Sequence, residues 1–104
     1  MPSPLTLVVA LTVVPNQQQA FEAFEQRASV VMARHGGRIE RRVRLAPSAD
    51  GPTEIHVVTF PSESAYEHYQ NDAATVALAA DRTTVIERTV VWVGEDAVPF
   101  ASAA

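Results

Sequence analysis

The sequence predicts an α+β domain of the ferredoxin-like kind, a four-stranded antiparallel sheet with its helices on one face. Three observations carry this. β-Branched runs and amphipathic runs follow one another in the order β-α-β-β-α-β. The two middle strands are joined by a Pro/Asp/Gly-rich loop, which makes them an antiparallel hairpin. The chain has 104 residues, enough for one such domain and too few for two. We assign residues 1–94 to the domain and 95–104 to a C-terminal tail.

Leu5 to Val14 is β-branched, ends at Pro15 and reads as the first strand. Leu5, Leu7, Val9, Leu11 and Val13 share one face; Thr6, Val8, Ala10, Thr12 and Val14 share the other. A strand apolar on both faces is one that is covered on both. Asn16 is the expected N-cap of the first helix, with Gln19 completing a capping box. Ala20, Phe21, Phe24, Ala28, Val31 and Met32 recur at helical spacing to about Arg34, with Glu22, Glu25, Gln26 and Arg27 between them. His35-Gly36-Gly37 ends the helix, Gly36 supplying the left-handed residue. A histidine there also suits the helix C-terminus.

Arg38 to Leu45 is the second strand, with Arg38, Glu40, Arg42 and Arg44 alternating against Ile39, Arg41, Val43 and Leu45. Its charge places it near a sheet edge. Thr53 to Phe60 is the third strand, with Ile55, Val57 and Thr59 on one face and Glu54, His56, Val58 and Phe60 on the other. Ser62 caps the second helix, with Glu63 in its first turn. Asn71-Asp72 reads as a break and a second cap. Ala73, Val76, Ala77 and Ala80 are the expected apolar stripe of a further helix ending near Arg82. Thr84 to Val93 is the last strand, with Ile86, Arg88, Val90 and Trp92 on one face.

Helices on one side leave the second apolar face of the sheet uncovered. A second copy of the chain is the expected cover, a homodimer packed sheet to sheet with an interface of roughly 2,000 Å² or more.

Composition excludes several classes. There is no cysteine, so thiolate metal sites, disulfides and a cysteine nucleophile are ruled out. The formal net charge is −4, against the basic footprint that nucleic-acid binding needs. All basic residues are arginine, as in many GC-rich genomes. The apolar first strand is too short to span a bilayer and has no basic residues before it, so no membrane association and a cytoplasmic location are expected. His35, His56 and His68 share no ligand spacing, and Gly36-Gly37 ends a helix instead of opening one. No metal and no cofactor are expected.

The chain resembles the dimeric α+β barrel superfamily, which includes antibiotic-biosynthesis monooxygenase-like proteins and a bacterial family of unknown function. The likeness to the latter rests on His35-Gly36-Gly37-Arg38, Phe60-Pro61-Ser62, Ala65-Tyr66, Tyr69 and Arg82, in this order, and spans roughly residues 5 to 93. The first strand lacks the aromatic or polar residue common in such families. The Asn-Trp-His set of the haem-degrading branch is absent, which removes the ground for haem chemistry.

The resemblance implies a small organic ligand, aromatic or anionic, in a cleft between sheet and helices. On this reading the chain is a binding protein or a cofactor-independent monooxygenase or isomerase. His56 is the candidate general base, a role for which an ordinary histidine is well poised; the alternative is a satisfied histidine in the dimer interface. Arg82 is the candidate anion clamp, with a salt bridge to Asp81, Glu87 or the dimer partner as its alternative. Tyr66 and Tyr69, three apart on one helix, and Phe24 are the candidate ligand walls; for the tyrosines, core packing is the alternative. His68 lies on another face of the helix and is read as solvated. Trp92 is read as interface packing. A non-catalytic regulatory or accessory dimer is the competing function, and it requires a cleft filled by Phe21, Phe24, Tyr66 and Tyr69.

Overall fold

The computed structural model describes residues 3–101; the last three residues of the expected tail, 102–104, lie outside it. The elements are β1 (Leu5–Val13), α1 (Gln18–Arg34), β2 (Arg38–Arg44), β3 (Glu54–Phe60), α2 (Glu63–Asn71), α3 (Ala73–Ala77), α4 (Ala79–Val85) and β4 (Ile86–Gly94). The strands form one antiparallel sheet in the order β2-β3-β1-β4. This is the ferredoxin-like α+β fold. β2 and β4 are its edges, as the charge on β2 indicates. Residues 95–101 add neither helix nor strand.

The helix-facing side of the sheet holds the core in two clusters. One joins Leu11 and Val13 to Phe21, Phe24 and Ala28 of α1 and to Val85 and Ile86. The other joins Leu7, Val58 and Phe60 to Met32, with Tyr66 and Tyr69 packed against it. α1 does most of the covering because its buried residues, Phe21, Phe24, Ala28, Val31 and Met32, return every three or four positions. It ends as expected. Gly36 has φ 74°, and the amides of Gly36 and Gly37 close on the carbonyls of Ala33 and Met32. Gly37 lies directly under Phe60 and Met32, and a Cβ there would run into both.

Five expectations about local structure are corrected. Asn16 does not cap α1: it takes a left-handed turn conformation with φ 66°, and the helix starts beyond Gln17 without a side-chain cap. Ala20 faces solvent. The break and cap expected at Asn71-Asp72 are there, but the cap is Asp72 alone, whose Oδ1 accepts from the Ala74 amide at 2.8 Å; Asn71 ends α2 and donates back to the Glu67 carbonyl. Ala73, Val76, Ala77 and Ala80 are all exposed. Ala74, Thr75 and Leu78 turn inward instead, because the Asp72 cap fixes the start of α3 and hence which side of it faces the sheet. α4 runs on through Thr84 and Val85, so the last strand begins at Ile86. Ser62 caps α2 as expected, accepting from the Ala65 amide at 3.0 Å.

The most consequential correction concerns strand faces. Ile39 pairs with Val58 and Arg41 with Val57, so Glu40 is an extra residue, a β-bulge. Beyond it the alternation of β2 is inverted. Arg42 and Arg44 join Ile39 on the helix-facing side, while Arg41 and Val43 face away. A second bulge at Glu87 does the same in β4, since Thr12 pairs with Arg88 but Val13 with Ile86. Ile86 therefore enters the core and leaves Arg88, Val90 and Trp92 on the opposite face.

That opposite face carries Val8, Ala10, Ile55, Val57 and Val90, with Val43 40% and Trp92 53% exposed. No element of the described residues covers it. Among these residues no helix is long and apolar enough to cross a membrane.

Candidate functional site

Between the two core clusters the helix-facing side does not close. A cavity of about 360 Å³ remains, lined by Leu7, Val9 and Leu11 from β1, Phe24, Ala28 and Met32 from α1, Val58 and Phe60 from β3, and side chains of the α2–α4 segment. His56, Arg82, Tyr66, Tyr69 and Phe24 all border it. The sequence separates these residues by up to 58 positions; the topology collects them because β3 lies beside β1 under α1, while α2–α4 folds back over the same strands.

The walls are aromatic at one end. Phe60 packs against Tyr66 and Tyr69 at ring-centroid distances of 5.2 and 5.5 Å. Phe24 is buried from the α1 side. These rings line the space; they do not fill it. Phe21 lies deeper, fully buried and 6.5 Å from the His56 ring. Tyr69 is also met edge-on by His35, whose Nε2 lies 2.8 Å from Asp72 Oδ2. The His35 contact and the Ala74 amide hold the Asp72 carboxyl below the usual range, and the pair ties the end of α1 to the α2–α3 junction. His35 is thus a fastener for the cavity's lid. His68 is exposed.

His56 is only 3% exposed and faces the helices, so it has no part in the open sheet face. Its Nε2 donates to Glu54 Oε2 at 2.5 Å. Two positions apart on one strand, the two residues share a face. Because a carboxylate can only accept, this bond puts the proton on Nε2 and leaves Nδ1 as the free lone pair of the neutral ring. Glu54, at 0% exposed, also accepts from Arg42 Nε and Nη2, both at 2.9 Å. Burial alone would raise its proton affinity, but Arg42 and His56 outweigh it and hold the carboxyl below its ordinary range. Arg42 reaches Glu54 only because of the Glu40 bulge, and it extends to Glu22 of α1 at 3.2 Å.

Arg82 sits inside α4, half-buried, and donates from Nη2 to Thr89 Oγ1 at 2.7 Å. The alternative reading, a salt bridge to Asp81 or Glu87, is not formed; Asp81 pairs with Arg27 at 3.6 Å. No carboxylate lies within 4.0 Å of the Arg82 guanidinium among the described residues. The Thr75 hydroxyl is buried at the same cavity without a partner among them. A guanidinium without a carboxylate and a hydroxyl without a partner, beside an apolar space, suit an anionic ligand with an apolar body.

Five members of the site have no counterpart in the sequence reading as site residues: Glu25, Glu54, Arg42, Thr75 and Thr89. Glu25, on α1, borders this cavity and a second one of about 330 Å³ that is walled by Glu22, Arg42 and Glu54. His56 and Ile39 also border both. Among the described residues no group of three or more His, Cys, Asp and Glu is placed to hold a metal ion.

Residues 7–95 match a protein family described as a domain of unknown function, DUF1330. No curated protein matches the chain. Solved structures share the fold at low sequence identity. A protein of unknown function from Rhodopseudomonas palustris superposes with TM-score 0.79 at 14% identity, covering 95% of this chain and 86% of that one. A dabb family protein with a ferredoxin-like fold from Mesorhizobium loti gives 0.66 at 17%, covering 94% and 98%. SnoaB, a cofactor-independent oxygenase from Streptomyces nogalater, gives 0.68 at 15%, covering 94% and 99%. At these identities the likeness is one of fold.

Proposed function

The chain belongs to the DUF1330 family, and on that footing we propose that it binds a small organic anion with an apolar or aromatic body in the cleft between sheet and helices. Arg82 takes the anionic group, Tyr66, Tyr69 and Phe24 wall the apolar body, and His56 is the base. The chemistry that follows is cofactor-independent, an isomerisation or monooxygenation of the bound molecule. The observation that carries this reading is the cavity of about 360 Å³ in which a carboxylate-bound histidine and a guanidinium with no carboxylate partner among the described residues border the same apolar space. Its volume falls within the range of small-molecule sites. The similarity to a cofactor-independent oxygenase supports the reading, because that protein carries its chemistry on the same fold. A non-catalytic accessory module needs no open cleft, and Phe24, Tyr66 and Tyr69 leave one.

Titration calorimetry with benzoate, phenylpyruvate and the neutral analogue benzyl alcohol tests the binding. Arg82→Ala is expected to weaken the carboxylates by about 2 kcal/mol, roughly 30-fold, the worth of a charge-assisted hydrogen bond. Benzyl alcohol should be unaffected. Equal losses for all three compounds, or no binding of any, would remove the proposal.

The open sheet face fits self-association. Val8, Ile55, Val57, Val90 and Trp92 form an apolar strip across all of the sheet but its charged β2 edge. A second copy placed on it by a twofold axis completes a barrel. Sedimentation equilibrium at micromolar concentration should return twice the 11.2 kDa chain mass. A stable monomer there contradicts the dimer.

A further inference from the structure

The acids around the cavities are nearly all engaged. Glu22 accepts from Arg42 and Arg44, Glu54 from Arg42 and His56, and Asp72 contacts His35. Further out, Glu40 accepts from Arg38 and Thr59, and Asp81 pairs with Arg27. The exception is Glu25. Its carboxyl makes neither a hydrogen bond nor an ion pair among the described residues, although it is half-buried at the boundary of both cavities. Its place on α1 explains the position. It follows Phe24, a core residue, and lies one turn beyond Phe21, so the helix that fills the core also carries this acid over the His56 side of β3.

Glu25 and Glu54 lie on either side of the functional question for one histidine, and their surroundings are opposite. Glu54 is saturated with donors and stays ionised. Glu25 has none, and burial raises its proton affinity; His56 and Arg82 offset this in part, and Glu54 and Arg42 act more weakly in opposite senses. Two carboxyls pushed apart in this way suit separate tasks, Glu25 to carry a proton and Glu54 to orient the His56 ring from its ionised form.

We propose that Glu25 is the proton donor of the cavity, paired with His56 as acceptor, and that the substrate is an enolisable 2-oxo acid with an apolar or aromatic body. This rests on the anion-binding reading above. Arg82 holds the carboxylate. His56 Nδ1 takes a proton from the carbon beside the carbonyl. The electrons of that C–H bond become the new C=C bond, the carbonyl π pair moves onto oxygen, and that oxygen takes the proton of Glu25. The enol returns to the ketone by the reverse transfers. The substrate neither gains nor loses electrons, so no oxidant or reductant takes part. The second cavity, walled by Glu22, Arg42 and Glu54, gives Glu25 and His56 a polar side through which protons re-equilibrate with solvent.

Phenylpyruvate is the probe. Exchange of its C3 protons in D2O, followed by NMR, reads the proton transfer, and calorimetry reads binding separately. The wild-type protein should accelerate exchange. Glu25→Gln should slow it 100-fold or more while the Kd stays within about twofold. The wild-type rate should fall as pH rises and Glu25 ionises, and that limb should be missing in Glu25→Gln. A Glu25→Gln exchange rate within about threefold of wild type overturns the assignment. Wild-type binding without accelerated exchange overturns it as well and leaves the binding proposal standing. Failure to bind phenylpyruvate and benzoate at all overturns both.

Discussion

Phe60→Ala loses about 4 kcal/mol of folding stability, in the range for truncating a buried phenylalanine whose site cannot collapse. The ring is 2% exposed and stands at the junction of every layer near the cavity. It packs on Tyr66 and Tyr69 above, on Gly37 and Met32 to the side, and on Leu7 within the sheet. Gly37 has no side chain to move in, and the tyrosines are tethered by the Ser62 and Asp72 caps, so the hole persists. For a domain with 5–15 kcal/mol in hand, this removes a large fraction of the total. Urea denaturation gives the number. Phe60→Leu should lose about 1.5 kcal/mol or less. A loss below about 1.5 kcal/mol for Phe60→Ala would show that the aromatic end of the cavity is soft.

Glu54→Ala is expected to cost about 3 kcal/mol, with a fall in Tm on the order of 15 °C. The carboxylate is fully buried, and its removal strands the Nε2–H of His56, which has almost no access to water. Arg42 fares better, since it is half exposed and keeps Glu22. That moderates the loss. The effect is pH-dependent with a definite sign. The folded-state affinity of Glu54 for a proton is lowered, so its contribution is complete above the ordinary carboxylate range and disappears as pH falls through the lowered folded value. Thermal melts of wild type and Glu54→Ala should therefore converge at acid pH and diverge toward neutrality. Parallel curves from pH 3 to 8 would show that the contribution of Glu54 does not depend on its charge. Glu25 has the opposite linkage: its raised value favours folding at low pH and loses that contribution as pH rises, so Glu25→Gln should melt at or above wild type near neutrality.

Much of this architecture was legible in the residues. The β-branched run at Leu5, the turn residues between Ala46 and Pro52, the Ser62 cap and the His35-Gly36 terminus all act locally, and local signals survive in the sequence. Phe24, His56, Tyr66, Tyr69 and Arg82 all reach the same cavity. The charged half of the site was less legible, for physical reasons. The bulges at Glu40 and Glu87 have no marker in composition, and strict alternation across them sends Arg42 and Ile86 to the wrong faces. Glu25 falls between core positions of an amphipathic helix and looks solvated until the cavity beneath it is seen. One signal was available. Glu54 and His56 alternate with Val58 and Phe60 on a face with no other reason to be polar, and an acid and a histidine two apart on a strand meet side by side.

The Glu40 bulge has a further consequence for how this family varies. Which side of the sheet an arginine serves depends on the parity of a residue count and not on the arginine itself. Drawn into the ladder as an ordinary paired residue, Glu40 would take the place of Arg41 opposite Val57, turn Arg42 toward the open face and leave Glu54 without its guanidinium. Loss or gain of the bulge at this sheet edge, with the residues unchanged, can thus switch the polar half of this cavity on or off while the aromatic half stays in place. Relatives that retain the same residue types in a different frame would share the fold and differ in chemistry.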